Sequence, residues 1–233
     1  MKTISFWRRL LDLISPRLCV VCGRRLAVTE ETVCNICNLH LPRTGFWDNP
    51  YDNVMTKMFW HQIPIERAAA FIHFEAQSEV ANIVYQLKYK DNPEIGTMMG
   101  RMMAAEIQRA GFFDEIDGIV PIPLTRKRFR QRGYNQSEEI AKGISEITGL
   151  PMFKDVVKRT RFKGSQTHRW RWERLKNVES AFQLTHGESI AGKHLLIIDD
   201  VVTTGATTIA CAKELAKAGN VKVSVLSLGL TKH

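Results

Sequence analysis

Leu195-Leu196-Ile197-Ile198-Asp199-Asp200-Val201-Val202-Thr203-Thr204-Gly205-Ala206-Thr207-Thr208 is the stretch that decides how this chain is read. His194 to Ile198 is a continuous apolar run with the pattern of a buried strand. It gives way to two adjacent carboxylates, a hydroxyl-rich turn at Gly205 and then a helix from Thr207 to Ala218. Ligands of open α/β sheets bind beyond the carboxyl ends of strands. The expectation is a sharp bend after Ile198, so that the backbone N–H groups of Thr203, Thr204, Gly205, Ala206 and Thr207 and the helix N-terminus cradle a phosphate, with threonine hydroxyls as further donors. Gly205 lets the backbone come close to the anion. Asp199 and Asp200 would repel a phosphate, so ribose hydroxyls or a hydrated Mg²⁺ are their natural partners. The plainer reading is a strand-to-helix turn in which Asp200 or a threonine only caps the helix. The G-x-x-x-x-G-K-[ST] and G-x-G-x-x-G spacings are both absent.

The flanking sequence has the same alternation. Ala68 to Phe74, Gly118 to Ile122 and Val221 to Leu228 read as strands, with a brief one at Val156-Val157. Glu79 to Tyr89, Ile95 to Ala110 and Ser137 to Ile147 read as helices, the last closed by Gly149 and Pro151. Strands alternating with helices predict a central, mostly parallel sheet flanked by helices on both faces. Met98, Met99, Met102 and Met103 recur at helical spacing and read as core filler.

With 233 residues, 44% hydrophobic and 24% charged, the chain is long enough for a sizeable core, and its composition excludes disordered and collagen-like classes. No window approaches the roughly 18 apolar residues of a spanning helix, and Arg8 and Arg9 fall where a signal peptide would be apolar, so a cytoplasmic location is expected. Ser5 to Ile14 reads as a short amphipathic helix. The net charge of +9 is unevenly placed. Arg126, Lys127, Arg128, Arg130 and Arg132 occur without an acid, and eight cations from Lys158 to Lys176 face only Glu173. Turn residues in both stretches suggest basic loops facing an anion. Within the second, His168-Arg169-Trp170-Arg171-Trp172 could stack on single-stranded nucleic acid or anchor a closed loop.

Cys19-x-x-Cys22 and Cys34-x-x-Cys37 lie in a core-poor segment ending near Pro50. Two such turns supply four sulfurs for a tetrahedral structural Zn²⁺, with redox pairs or buried thiols as the competing readings. Cys211, alone on a helix, reads as a small buried hydrophobe. The boundary expected from composition puts the N-terminal helix and zinc ribbon in residues 1–50 and the larger domain in 51–233.

Asp199 to Thr207 resembles the phosphoribosyl pyrophosphate (PRPP) motif of type I phosphoribosyltransferases. Further motifs, in order, resemble the competence protein F branch, the ComF or GntX-like group, whose members carry a four-cysteine zinc module. These are Leu87-Lys88-Tyr89, Val120-Pro121-Ile122-Pro123-Leu124, Arg132-Gly133-Tyr134-Asn135-Gln136, Gln166-Thr167, Arg174, Asn177-Val178 and Ala181-Phe182. The resemblance implies a type I phosphoribosyltransferase fold behind an N-terminal zinc ribbon. It implies that Asp199 and Asp200 meet ribose hydroxyls and the Mg²⁺ shell, and that Val201 to Thr207 hold the 5′-phosphate. Pyrophosphate would lie in the stretch after Pro123, with Arg126, Arg128, Gly133, Asn135 and Gln136, and a basic loop within Arg159 to Asn177, including Gln166, would close over it. Arg132 and Arg174 are the preferred phosphate contacts, because a guanidinium binds phosphate bidentately. The implied activity is Mg²⁺-dependent phosphoribosyl transfer to an acceptor that no segment identifies. The associated process is DNA uptake and handling of single-stranded DNA, with DNA-processing proteins as partners. The rival is a non-catalytic DNA-processing factor that keeps the pocket for regulation.

Overall fold

The computed structural model describes residues 16–89, 92–160 and 181–231. Strands β1 (Ala68–Phe74), β6 (Lys222–Thr231), β5 (His194–Val202) and β2 (Gly118–Pro121) lie side by side in that order, every neighbouring pair parallel. Parallel strands carry apolar residues on both sides because both faces of the sheet are covered. Leu196 and Ile198 join one core with helices α3 (Ala81–Tyr89), α4 (Pro93–Ile107) and α6 (Gln136–Thr148). Leu195 and Ile197 join the other, with α2 (Val54–Phe59), α7 (Ala206–Ala216) and the antiparallel pair β3 (Val157–Arg159) and β4 (Phe182–Leu184). The expected mixed α/β architecture is thus present. Met99 and Met103 are fully buried, with Met102 packed against the same core.

The cysteine segment, with its short helix α1 (Asn35–Leu39), does not form a core of its own. Cys19, Val20, Val21, Leu26, Val33 and Leu41 join the core shared with α3 and α4. The chain then runs along the open edge of β1: the Thr44 N–H donates to the Phe71 carbonyl at 3.1 Å, and the His73 N–H to that of Pro42 at 2.7 Å. Helices α4 and α6 cross at close range because Gly100 and Gly143 face each other's helix. A Cβ on Gly100 would strike the Ile140 carbonyl oxygen, and one on Gly143 that of Thr97.

Two local expectations are corrected. The chain does not bend after Ile198: β5 continues through Asp199 and Asp200 to Val202, paired in register with Ser227, Gly229 and Leu230 of β6. Strand β6 is long enough to keep the ladder going, so both carboxylates lie within the sheet and the turn begins at Thr203. Secondly, the first basic stretch is not a loop. Arg126–Arg132 forms helix α5, capped at Thr125, whose hydroxyl accepts from the Arg128 N–H at 3.3 Å, and ended by Gly133 at φ 76°. Arginine, lysine and glutamine are good helix formers, and a left-handed glycine is the usual stop. Arg126 and Arg128 are therefore helical, Gly133 terminates the helix, and Asn135 and Gln136 begin α6. Residues 151–153 also extend the sheet beyond β2 as a short parallel line, the Ile119 N–H donating to Pro151 and the Phe153 N–H to Ile119, both at 2.8 Å. Ser5 to Ile14, Gln166, the Arg-Trp run at 168–172 and Arg174 lie outside the described residues.

Candidate functional site

Four sulfurs meet at the N-terminal end of the chain. The Sγ atoms of Cys19, Cys22, Cys34 and Cys37 all lie within 4.8 Å of one another, and those of Cys22 and Cys34 are 3.9 Å apart. Tetrahedral Zn–S bonds of about 2.3 Å place sulfurs roughly 3.8 Å apart, so the donor set and spacing fit a structural zinc. N–H groups support the sulfurs: that of Cys34 donates to Cys19 Sγ at 3.3 Å and that of Cys37 to Cys34 Sγ at 3.4 Å. The Cys37 N–H holds the Cys34 thiol down at about 7, a value suited to a thiolate ligand, whereas burial pushes the Cys37 thiol up.

Helix α3 connects this cluster to the acidic pair. Its Asn82 amide donates to the Val21 carbonyl at 3.1 Å and its Gln86 amide to that of Val20 at 3.3 Å, within the first C-x-x-C turn. At its other end the Tyr134 hydroxyl donates to the Leu87 carbonyl at 2.6 Å, and Lys88 Nζ lies 3.0 Å from Asp200 Oδ2. Lys88 was quoted as part of a motif, but nothing local indicates that it faces an acid 112 residues downstream.

Asp199 and Asp200 each accept the N–H of the following residue, at 2.8 Å and 2.6 Å. Ser137, in the first turn of α6, places its hydroxyl 3.5 Å from Asp199 Oδ1. Burial pushes the Asp199 carboxyl up to about 7, and the neighbouring charge of Asp200 adds to this; Lys88 and Arg159 act in the opposite direction. Arg159, at the end of β3, stacks over the Phe182 ring at 5.2 Å. Burial and the Arg128 charge lower its pKa and the Asp199 charge raises it, so it stands electrostatically between the two.

Beyond Val202 the chain leaves the sheet through exposed Thr203 and Thr204 and enters α7 at Gly205. Gly205 is required twice: its φ is 72°, and a Cβ would lie 3.0 Å from the Phe59 ring. Among the described residues no side chain caps α7. Asp199, Val201, Val202 and the residues from Thr203 to Thr208 line a concavity of about 40 Å³. Thr208, 1% exposed, lines it too, and among the described residues its hydroxyl has no hydrogen-bond partner.

The remaining anticipated residues separate. Arg128, Arg132 and Gly133 line a cavity of about 710 Å³ with Lys88, Tyr89 and Gln131. Arg132 donates to Gln136 Oε1 at 2.6 Å and lies 5.6 Å above the Tyr89 ring. Arg126 lines a different cleft on the opposite side of α5. Asn135 serves the fold: its amide donates to the Ile122 carbonyl at 3.0 Å and its oxygen caps α6 through the Ser137 N–H at 3.2 Å. Ser137 and Thr208 are site residues that sequence reasoning did not single out, whereas Lys88 entered only within the Leu87-Lys88-Tyr89 motif and Arg159 only as the first residue of the expected basic loop. For Thr208, its place at the end of the Leu195 to Thr208 stretch was the available signal; for Ser137 only the packing brings it in.

No family model matches the chain. It is 28% identical over 219 residues to DNA utilization protein YhgH of Escherichia coli (strain K12), covering 91% of this chain and 89% of that one. It is 25% identical over 150 residues to competence protein F of Haemophilus influenzae, covering 63% and 66%. To competence protein ComFC of Bacillus subtilis it is 24% identical over 217 residues, covering 92% and 79%. Among solved structures, the allosteric regulatory enzyme of purine biosynthesis matches with a TM-score of 0.40 at 19% identity, over 60% of this chain and 29% of that one. Glutamine PRPP amidotransferase from B. subtilis matches at 0.36 and 21%, over 56% and 25%. The chain thus spans less than a third of either enzyme. Among the described residues no helix is long and apolar enough to cross a membrane. With its parallel α/β sheet and a four-cysteine cluster suited to zinc, the chain is similar over most of its length to DNA utilization and competence proteins.

Proposed function

We propose that the end of β5 and the start of α7 bind a 5′-phosphoribosyl ligand, PRPP in the first instance, and that the protein acts as a phosphoribosyltransferase-like factor in DNA utilization. The supporting observation is the concavity at residues 203–208, where an uncapped helix N-terminus meets the orphaned, buried Thr208 hydroxyl. Unpaired donors that converge on one small hollow suit a phosphate group. Asp199 lines this hollow and Asp200 follows it on β5; both would serve as acceptors for ribose hydroxyls. Lys88, Arg128 and Arg132 line the adjoining cavity, where a departing pyrophosphate would meet fixed cations. Arg126, on the far side of α5, takes no part in this reading.

Two adjacent carboxylates are hard oxygen donors of the kind Mg²⁺ takes, usually alongside waters and substrate phosphates. Bound there with the ligand, the ion would neutralise charge that develops on the leaving pyrophosphate. Lys88 balances Asp200, and Ser137 and Arg159 restrain Asp199.

Calorimetric titration with PRPP and Mg²⁺ tests this, alongside a variant carrying Asp199→Asn and Asp200→Asn. Binding by the unaltered protein and at least tenfold weaker binding by the variant is the expected result. Absence of heat from the unaltered protein would overturn it. The reading in which the pocket is non-catalytic is favoured by one feature, the Lys88–Asp200 ion pair that already satisfies one acid. Binding without release of pyrophosphate in the presence of candidate acceptors would select it.

A further inference from the structure

Lys88 and Asp200 form an ion pair at 3.0 Å, with side chains 22% and 14% exposed. Its two members are held differently. The Val201 N–H donates to Asp200 Oδ1 at 2.6 Å, so the carboxylate is fixed by its own strand and Oδ2 is the atom that meets Lys88. The root of Lys88 is fixed as well, because the Tyr134 hydroxyl clasps the neighbouring Leu87 carbonyl. Its ammonium group is not. It ends a flexible stem and is a point charge, able to change partners without the fork geometry that a guanidinium needs.

That ammonium group borders two environments. Besides meeting Asp200, Lys88 lines the cavity of about 710 Å³, and among the described residues this lining holds two further cations, Arg128 and Arg132, and no acid. Arg132 is committed to Gln136 and to the face of Tyr89, which leaves Lys88 as the cation with freedom to move. A polyphosphate in the cavity carries several negative charges against one on Asp200 and would draw the ammonium group away. Asp200 would then stand unbalanced beside Asp199, and two adjacent carboxylates without a counter-ion attract a divalent cation. While the ammonium group stays on Oδ2, it holds the place that such a cation needs.

We propose that Lys88 is a displaceable counter-ion: its ammonium group keeps divalent cations off Asp200 until a polyphosphate ligand draws it into the cavity. Cation and ligand then each raise the affinity of the other, since linkage between two binding events is reciprocal. The identity of the ligand rests on the phosphoribosyl reading above; the ion pair and its competition with a cation do not.

The test titrates Mn²⁺, which takes the same oxygen donors as Mg²⁺, into the full chain without PRPP and follows the electron paramagnetic resonance signal of the free ion. Lys88→Gln should bind Mn²⁺ about tenfold more tightly than the parent, because a competing charge has been removed. Lys88→Arg keeps the charge and should stay within about threefold of the parent. Adding Asp200→Asn to Lys88→Gln should cancel the gain. In calorimetry with EDTA present, Lys88→Gln should bind PRPP about fivefold more weakly, since the ammonium group is then missing from the cavity. The two ligands thus respond with opposite signs, whereas loss of a residue that only supports the fold would weaken both. Lys88 is partly exposed, so its replacement should leave the fold intact. Equal Mn²⁺ affinity in Lys88→Gln and the parent would overturn the proposal, as would a gain that survives Asp200→Asn. Unchanged or tighter PRPP binding by Lys88→Gln would overturn it too. Absence of PRPP binding by the parent would instead overturn the phosphoribosyl reading, and the Mn²⁺ series would still decide whether Lys88 keeps cations off Asp200.

Discussion

The cysteine segment and the central sheet reach order by different physical routes. The sheet is enclosed on both faces, and Leu195, Leu196, Ile197 and Ile198 are all fully buried. The cysteine segment has too few apolar residues for a separate interior, so it combines four convergent sulfurs with a handful of side chains inserted into the core over α3. Small segments of this size usually need a metal or disulfide to supplement their burial. The difference teaches that α3 is a shared wall: one end holds the Val20 and Val21 carbonyls, the other presents Lys88 to Asp200.

The largest expected effect comes from the metal cluster. Cys34→Ser should abolish stoichiometric zinc binding, since the free energy of a structural zinc site, on the order of 10 kcal/mol, is also folding free energy. Hydrogen exchange should then accelerate across residues 18–41 and in α3, while β5 and β6 remain protected. Loss of protection in all three would show that the segment and the sheet form one cooperative unit and break the comparison. Next is the crossing of α4 and α6. Gly143→Ala forces a methyl group against the Thr97 carbonyl and should cost about 3 kcal/mol, seen as a lower denaturation midpoint with unchanged zinc content.

Asp199→Asn should act in the opposite direction. Because folding raises the Asp199 pKa from about 3.8 to about 7, its ionised form is penalised in the folded state. Below about pH 3 the group is mostly protonated in both states and the penalty vanishes; stability falls as pH rises from about 3 to about 7 and stays reduced above. The variant should therefore be more stable than the parent at pH 8, by on the order of 2 kcal/mol after allowing for partial solvent access, and equal to it at about pH 3. Chemical denaturation at both pH values in the absence of divalent ions checks this. The smallest effect belongs to Tyr134→Phe, which removes the hydroxyl that holds the Leu87 carbonyl. A loss of about 1 kcal/mol is expected, with faster amide exchange at the C-terminal end of α3 than in α4.

Much of the sheet was legible because a strand buried on both faces must be apolar throughout. Ala68–Phe74 has the anticipated bounds, and the four helices anticipated from Glu79, Ile95, Ser137 and Thr207 begin within two residues of those positions. What misled was polar content. Asp199 and Asp200 look like the end of a strand by hydropathy, yet the ladder with β6 carries them to Val202. A run of arginines looks like a loop by charge, although arginine has good helix propensity and Thr125 and Gly133 supply both caps. Of the anticipated phosphate residues, Thr203 to Thr207 do converge with Asp199 on one hollow. Arg126 and Arg128, two residues apart, point into different clefts because a helix turns about 100° per residue, a separation that treating the stretch as a loop concealed.

The order of elements, the parallel sheet, the position of the turn glycine and the pairing of cysteines into two knuckles were determined by the sequence itself. Each rests on local periodicity, on backbone conformation or on spacing within a few residues. Which charges meet was decided only by the tertiary structure. Lys88 reaches Asp200, Ser137 reaches Asp199 and α3 joins the sulfur cluster to the acidic pair because four parallel strands bring the ends of distant segments to one edge. Electrostatic and hydrogen-bonding partners depend on separation in space, and no local pattern encodes it.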